Sequence, residues 1–181
     1  MLSAYGFPFL LALFVSFMLT PFIKKLAFKI GAVDKPEARR IHTHIMPRLG
    51  GLAIYIAFVF AVIASLEITK YIVGILLGSS IIVIIGILDD KYQIPAKVKL
   101  LGQIIAACVL VAFGIRIEWV NNPLGGYLYL EYLSIPITIL WIVSFTNVGN
   151  LIDGLDGLAA GVGAIASLTV GLVAWQFGYY H

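Results

Sequence analysis

Tyr71-Ile-Val-Gly-Ile-Leu-Leu-Gly-Ser-Ser-Ile-Ile-Val-Ile-Ile-Gly-Ile-Leu-Asp-Asp90 decides how this chain is read. The run from Tyr71 to Leu88 carries no charge, and about 20 such residues cross the hydrocarbon core of a bilayer as a helix. It then ends on two adjacent carboxylates, Asp89 and Asp90. An ionised carboxylate at the bilayer centre costs about 2.5 to 3.5 kcal/mol even on a lenient insertion scale, so acids in such a chain belong at an interface or bind something. Two more, Asp153 and Asp156, stand at the end of another apolar run, in Asn147-Val-Gly-Asn-Leu-Ile-Asp-Gly-Leu-Asp-Gly-Leu158.

The rest of the chain agrees with that stretch. Of its 181 residues, 61% are hydrophobic, against about 45 to 50% in soluble domains. The composition predicts an all-α integral membrane protein with about six transmembrane helices: Tyr5 to Ile23, Leu49 to Leu66, Tyr71 to Leu88, Leu100 to Ile115, Tyr132 to Thr146 and Leu158 to Phe177. One polytopic membrane domain over residues 1–181 is the economical organisation. No basic residue precedes the first run and Lys24-Lys25 follows it, so it is expected to stay as an anchor rather than leave as a signal peptide. The single cysteine, Cys108, excludes an intrachain disulfide and reads as a small packing residue.

Basic residues orient the chain. Lys24, Lys25, Lys29, Lys35, Arg39, Arg40 and Arg48 fall between the first two runs, and Lys91, Lys97 and Lys99 between the third and fourth, which is ten of the twelve. Cytoplasmic loops carry this excess. The N-terminus is therefore expected outside, and the four aspartates on the cytoplasmic face of a plasma membrane. The net charge of +3 reflects this topology and contact with membrane lipid headgroups rather than nucleic-acid binding.

The first basic loop holds Val33-Asp-Lys-Pro-Glu-Ala-Arg-Arg-Ile-His-Thr-His-Ile-Met-Pro-Arg-Leu-Gly-Gly51. His42 and His44 lack a nearby third ligand, so they make a weak metal signal and suit a solvent or phosphate contact better. Outside, Ile115 to Val120 and Tyr127 to Tyr132 alternate around Asn121-Asn-Pro-Leu-Gly-Gly126, which predicts a small extracytoplasmic β-hairpin.

The acids favour one chemistry. Asp153 and Asp156 are three apart, hence about 5 to 6 Å apart at Cβ if helical, where like charges repel unless a cation or proton intervenes. Asn147 and Asn150 extend the series, and Gly149, Gly154 and Gly157 permit a broken or tightened segment around one ligand. The plainer alternatives are a cap on the last helix and, for Asp89 and Asp90, solvated ion pairs with Lys91, Lys97 or Lys99. Hard carboxylate and amide oxygens suit Mg²⁺, with Mn²⁺ as its substitute, and Mg²⁺ prefers one or two carboxylates plus substrate phosphates. Lys99 then falls where it reaches a phosphate at headgroup level. No Walker or dinucleotide loop and no Ser/His/Asp arrangement is present.

Asp89-Asp90 with Ala96-Lys-Val-Lys-Leu-Leu-Gly-Gln103, the segment Asn147 to Leu158, and the loop from Val33 to Gly51 together resemble the polyprenyl-phosphate N-acetylhexosamine-1-phosphate transferases. The loop, with Asp34-Lys-Pro, Arg39-Arg40, His42 and Pro47-Arg-Leu-Gly-Gly51, is more similar to the branch using UDP-N-acetylglucosamine than to the branch using UDP-muramoyl-pentapeptide. The resemblance implies transfer of a sugar 1-phosphate from a UDP-N-acetylhexosamine to undecaprenyl phosphate with release of UMP. It assigns Asp89 and Asp90 to catalysis, Asp90 and Asp153 to the metal, and Lys99, Asn147, Asn150, Asp156 and Arg48 to substrate. It further implies that these residues are the N-terminal part of a roughly ten-helix enzyme whose later aspartate motif and histidine-rich loop lie beyond His181. A homodimer is the expected assembly. The competing readings are a non-catalytic membrane homologue and a cation-coupled transporter, the latter disfavoured because its acids would lie deep within the spans.

Overall fold

The computed structural model describes residues 2–34, 45–153 and 157–177. It divides into two compact units, Met1–Ile139 and Leu140–His181.

Helix α1, Leu2–Ile30, runs past the expected end of its apolar run and takes Lys24, Lys25 and Lys29 into its last turns. The charge at Lys24 ends the hydrophobicity but not the helix, because Lys-Leu-Ala-Phe-Lys are good or tolerated helix formers. Gly31 stops it, with φ at +78°, and the Ala32 N–H donates to Ala27 O at 3.0 Å. That bond across a left-handed glycine is the Schellman closure. The chain then forms strand β1, Val33–Asp34, antiparallel to β2, Met46–Pro47, and the Arg48 N–H returns to Ala32 O at 3.1 Å.

Helix α2, Gly50–Ser65, packs back on α1. Ile23, Ala27, Ala32, Leu49 and Ala53 are buried together, with Ile87 of the third helix against them. Small residues dominate this contact because in lipid two helices gain by close backbone approach rather than by leaving water.

Helix α3, Lys70–Tyr92, starts on Thr69, whose hydroxyl accepts from the Ile72 N–H, and ends at Gln93, a left-handed residue at φ 51°. The turn Gln93-Ile94-Pro95 leads into α4, Ala96–Ala112. The two helices form a tight hairpin. A Cβ on Gly74 would lie 2.5 Å from Phe113 Cβ, and one on Gly78 would lie 2.9 Å from Leu110 Cγ. Gly102 faces the Ile85 side chain just as closely. The three contacts set one antiparallel register along the hairpin.

Strands β3, Trp119–Asn121, and β4, Tyr127–Tyr129, pair antiparallel with Val120 opposite Leu128. They are shorter than the alternating segments around them. The ribbon is tied to helix α5, Ser134–Ile152: the Ser134 hydroxyl donates to Ile117 O at 2.6 Å, and the Ile117 N–H donates to Thr138 Oγ1 at 2.8 Å. Two hydroxyls thus satisfy both backbone groups of a residue in the α4–β3 connection. In the second unit α5 continues to Ile152 and α6 spans Leu158–Gln176, with no buried residue in α6. An all-round apolar helix is stable in that state only in a non-aqueous surrounding.

Among the described residues, four helical segments are long and apolar enough to cross a membrane: Gly6–Ile30, Lys70–Tyr92, Glu131–Ile152 and Leu158–Gln176. With 16 residues α2 is shorter, and α4 has 17. The chain is a membrane protein of largely helical structure with two small antiparallel ribbons.

Candidate functional site

The α3–α4 turn builds the charged centre of the first unit. Asp89 and Asp90 occupy the last turn of α3, so both acids are helical and half-buried. Pro95 stands at the N-cap of α4 and its carbonyl accepts from the Val98 and Lys99 N–H groups at 2.9 and 3.2 Å. The turn therefore brings residues at similar distances from its centre face to face. Lys99 Nζ donates to Asp89 Oδ2 at 2.7 Å, with the two side chains 19% and 28% exposed. The Gln93 N–H also closes on the Asp89 carbonyl at 2.8 Å.

Each charge in this pair opposes the dipole of its own helix. A helix carries partial negative charge at its C-terminus and partial positive charge at its N-terminus, yet Asp89 sits near the end of α3 and Lys99 in the first turns of α4. Neutralising one another is what makes both tolerable. The same geometry favours a cation beside α3 and an anion beside α4.

Gln103 follows one helical turn after Lys99 and is 2% exposed. The motif Ala96 to Gln103 contains it, but the sequence reading gave it no role. Its signal was an amide inside an apolar run, where a polar side chain marks a function or a buried bond.

Arg48 is engaged elsewhere. Its Nη2 donates to Asp34 Oδ1 at 3.0 Å, a contact that crosses the β1–β2 ribbon. Arg39, Arg40, His42 and His44 lie outside the described residues, as does Asp156.

In the second unit, Asn147 and Asn150 lie on α5 and Asp153 follows in the adjoining turn. The helix is unbroken through Ile152, so the tightening expected from the glycines does not begin at Gly149. Asn147 Nδ2 donates to Val143 O at 2.8 Å, while Asn150 and Asp153 are exposed. Gly157 takes φ +77° at the start of α6, which is where left-handed backbone is required. Among the described residues no group of three or more His, Cys, Asp or Glu side chains converges on one point.

Residues 72–181 match the family model described as glycosyl transferase family 4. A Bacillus subtilis (strain 168) protein named probable undecaprenyl-phosphate N-acetylglucosaminyl 1-phosphate transferase is 45% identical over 172 residues, 94% of this chain and 48% of the relative. A Mycolicibacterium smegmatis decaprenyl-phosphate N-acetylglucosaminephosphotransferase is 35% identical over 173 residues, 89% of this chain and 43% of that protein. An undecaprenyl-phosphate alpha-N-acetylglucosaminyl 1-phosphate transferase of Escherichia coli (strain K12) is 29% identical over 167 residues, 87% and 43% of the two chains. The chain thus spans about half the length of the curated relatives it matches. No solved structure matches it.

Proposed function

The chain belongs to glycosyl transferase family 4, and on that premise we propose that the complete protein transfers N-acetylglucosamine 1-phosphate from a UDP-sugar to undecaprenyl phosphate, releasing UMP. An oxygen of the lipid phosphate attacks the sugar-bearing phosphorus of the nucleotide. A new P–O bond forms as the bond to UMP breaks, UMP leaves with the electron pair, and the product is a lipid-linked diphosphate sugar. The names of the relatives support a polyprenyl phosphate acceptor and an N-acetylglucosamine phosphate group. Such a product starts a cell-wall or surface polysaccharide.

The observation that carries this reading is the Asp89–Lys99 pair at the mouth of the α3–α4 hairpin. It offers a cation site and an anion site side by side, which two reacting phosphates require. A phosphate monoester with a second pKa near about 6 is mostly dianionic at neutral pH. The acceptor therefore needs no strong base, and the residues serve to hold two anions together and offset their charge.

Asp90 fits Mg²⁺, or Mn²⁺ in its place, because a hard carboxylate oxygen leaves the rest of the shell to water and phosphate, with Asp89, projecting about 100° away on the same helix, at the edge of that site. When bound, the ion supplies charge neutralisation on the diphosphate oxygens. Lys99 takes a phosphate oxygen once released from Asp89. In the second unit, the family resemblance assigns Asp153 to metal and Asn147, Asn150 and Asp156 to the nucleotide. Arg48 acts on the substrate indirectly, by tying β1 to β2 through Asp34. Cytoplasmic placement follows from the basic residues flanking α3 and α4, and it suits a reaction between a water-soluble nucleotide and a lipid.

The test is Mg²⁺-dependent UMP release by the complete protein from UDP-N-acetylglucosamine and undecaprenyl phosphate. Asp90→Ala and Asp153→Ala should each lower the rate by about 10²-fold or more, the scale of losing a transition-state charge contact. Undiminished rates in both variants would overturn the site.

A further inference from the structure

Midway along the first unit lies a polar contact that the reaction does not use directly. Tyr55 of α2 brings its hydroxyl to 2.5 Å from Ser80 Oγ of α3 and donates to Leu76 O at 3.1 Å. Ser80 Oγ also reaches Leu76 O at 2.6 Å. Three oxygens share two hydroxyl protons, so this is a closed cluster between two helices rather than a side chain folded on its own turn.

Its position matters because of how the unit is packed. The chief contacts of α1 are with α2 and those of α3 with α4, and the seam between α2 and α3 is thin. The two hairpins carry different halves of the site. Arg48 and the β1–β2 ribbon belong to the first, while Asp89, Asp90 and Lys99 belong to the second. Counting outward from the short connection between Leu66 and Thr69, Tyr55 is level with Ser80, and Leu49 is level with Ile87, which packs on its cluster. Leu88 alone separates Ile87 from the acids, which lie at the end of α3 away from the connection. Ile87 packs α3 on the first hairpin near the acids, and the Tyr55–Ser80 contact is a second, polar point of attachment along the same thin seam.

We propose that Tyr55 is a positioning residue for the transfer reaction, its hydroxyl bracing α3 through Ser80 and Leu76 so that Asp89 and Asp90 are held in register with the Arg48 ribbon. The proposal rests on the transferase reading above. An interhelical hydrogen bond in a membrane is a modest contact, so the effect is graded and not all-or-none.

In the complete protein, Tyr55→Phe should lower kcat about three- to tenfold with KM for the UDP-sugar within about twofold, because the change affects alignment and not binding. Ser80→Ala should give a similar loss, Ser80→Thr should retain the wild-type rate, and the double variant Tyr55→Phe/Ser80→Ala should be no worse than either single change. A purely structural role would instead lower the folded fraction and leave kcat per folded molecule unchanged, which overturns the proposal. A second measurement is independent of any activity. Spin labels at Gly50 and Lys91, both exposed, in a Cys108→Ala background should show a broadened distance distribution when Tyr55 becomes Phe. An unchanged distribution overturns the brace. A wild-type protein that makes no UMP, together with the broadened distribution, removes the transferase reading and leaves the brace standing.

Discussion

Lys99 and Asp89 meet at 2.7 Å across the α3–α4 turn, each at the helix end whose dipole disfavours it. A bound cation and this lysine therefore compete for one carboxylate. Lys99→Met should tighten Mn²⁺ or Mg²⁺ binding to the substrate-free protein by about two- to fivefold, the range a partly solvated pair of up to about 1 kcal/mol allows. The same change should lower the transfer rate, because the phosphate loses its cation. Paramagnetic Mn²⁺ titration of the complete protein checks the first statement. Weaker metal binding in the variant would show that Lys99 helps the metal instead of opposing it.

The glycines of the α3–α4 hairpin should rank in stability by what a methyl group meets. At Gly74 it strikes Phe113 Cβ, which cannot rotate away, and at Gly78 it meets Leu110 Cγ and the Ala106 carbonyl. Alanine at either position should cost about 1 to 3 kcal/mol, as overpacking does. Gly102→Ala should cost less, since it meets the mobile end of Ile85. Gly86 has nothing within 4 Å, and Gly86→Ala should gain up to about 1 kcal/mol from helix propensity. Thermal unfolding in detergent gives the order, and a Gly86 variant less stable than the Gly74 variant would contradict the hairpin packing.

Thr138 accepts the Ile117 N–H at 2.8 Å and is 3% exposed. Thr138→Val keeps the shape and leaves that donor unpaired, a loss of about 1 to 3 kcal/mol. Thr138→Ser should remain near wild type. Faster amide exchange at Ile117 in the valine variant alone is the expected signature, and equal exchange in both would remove Thr138 from this role.

What could be read from the residues depended on range. The run Tyr71 to Leu88 and its closing acids are local, and the structure has α3 there with both acids in its final turn. The Asp89–Lys99 contact was one of several open pairings, and it is fixed by the three-residue turn ending at Pro95, itself a local feature. Helix α1 runs past the apolar stretch ending at Ile23 because hydropathy stops at Lys24 while helix propensity continues to Gly31. Likewise α5 passes Gly149 without a break, since one glycine costs a helix only about 1 kcal/mol. Arg48 and Tyr55 were beyond reach for another reason. Their partners, Asp34 and Ser80, are set by how separate elements close on each other, and no spacing in the chain encodes that.

The Asp34–Arg48 pair gives the last prediction. If Arg48 serves by tying β1 to β2, removing either partner breaks the same strut, so Asp34→Ala and Arg48→Ala should lower kcat/KM by similar factors. The double variant should add little, because the interaction is lost only once. Exchanging the charges, Asp34→Arg with Arg48→Asp, should recover part of the loss, since the 3.0 Å contact is between side chains at the ribbon edge. A direct substrate contact by Arg48 predicts the opposite pattern. Arg48→Ala would then be far worse than Asp34→Ala, the KM for the nucleotide sugar would carry the difference, and the exchanged pair would be as poor as Arg48→Ala alone. Steady-state kinetics of the four variants separates a strut from a ligand.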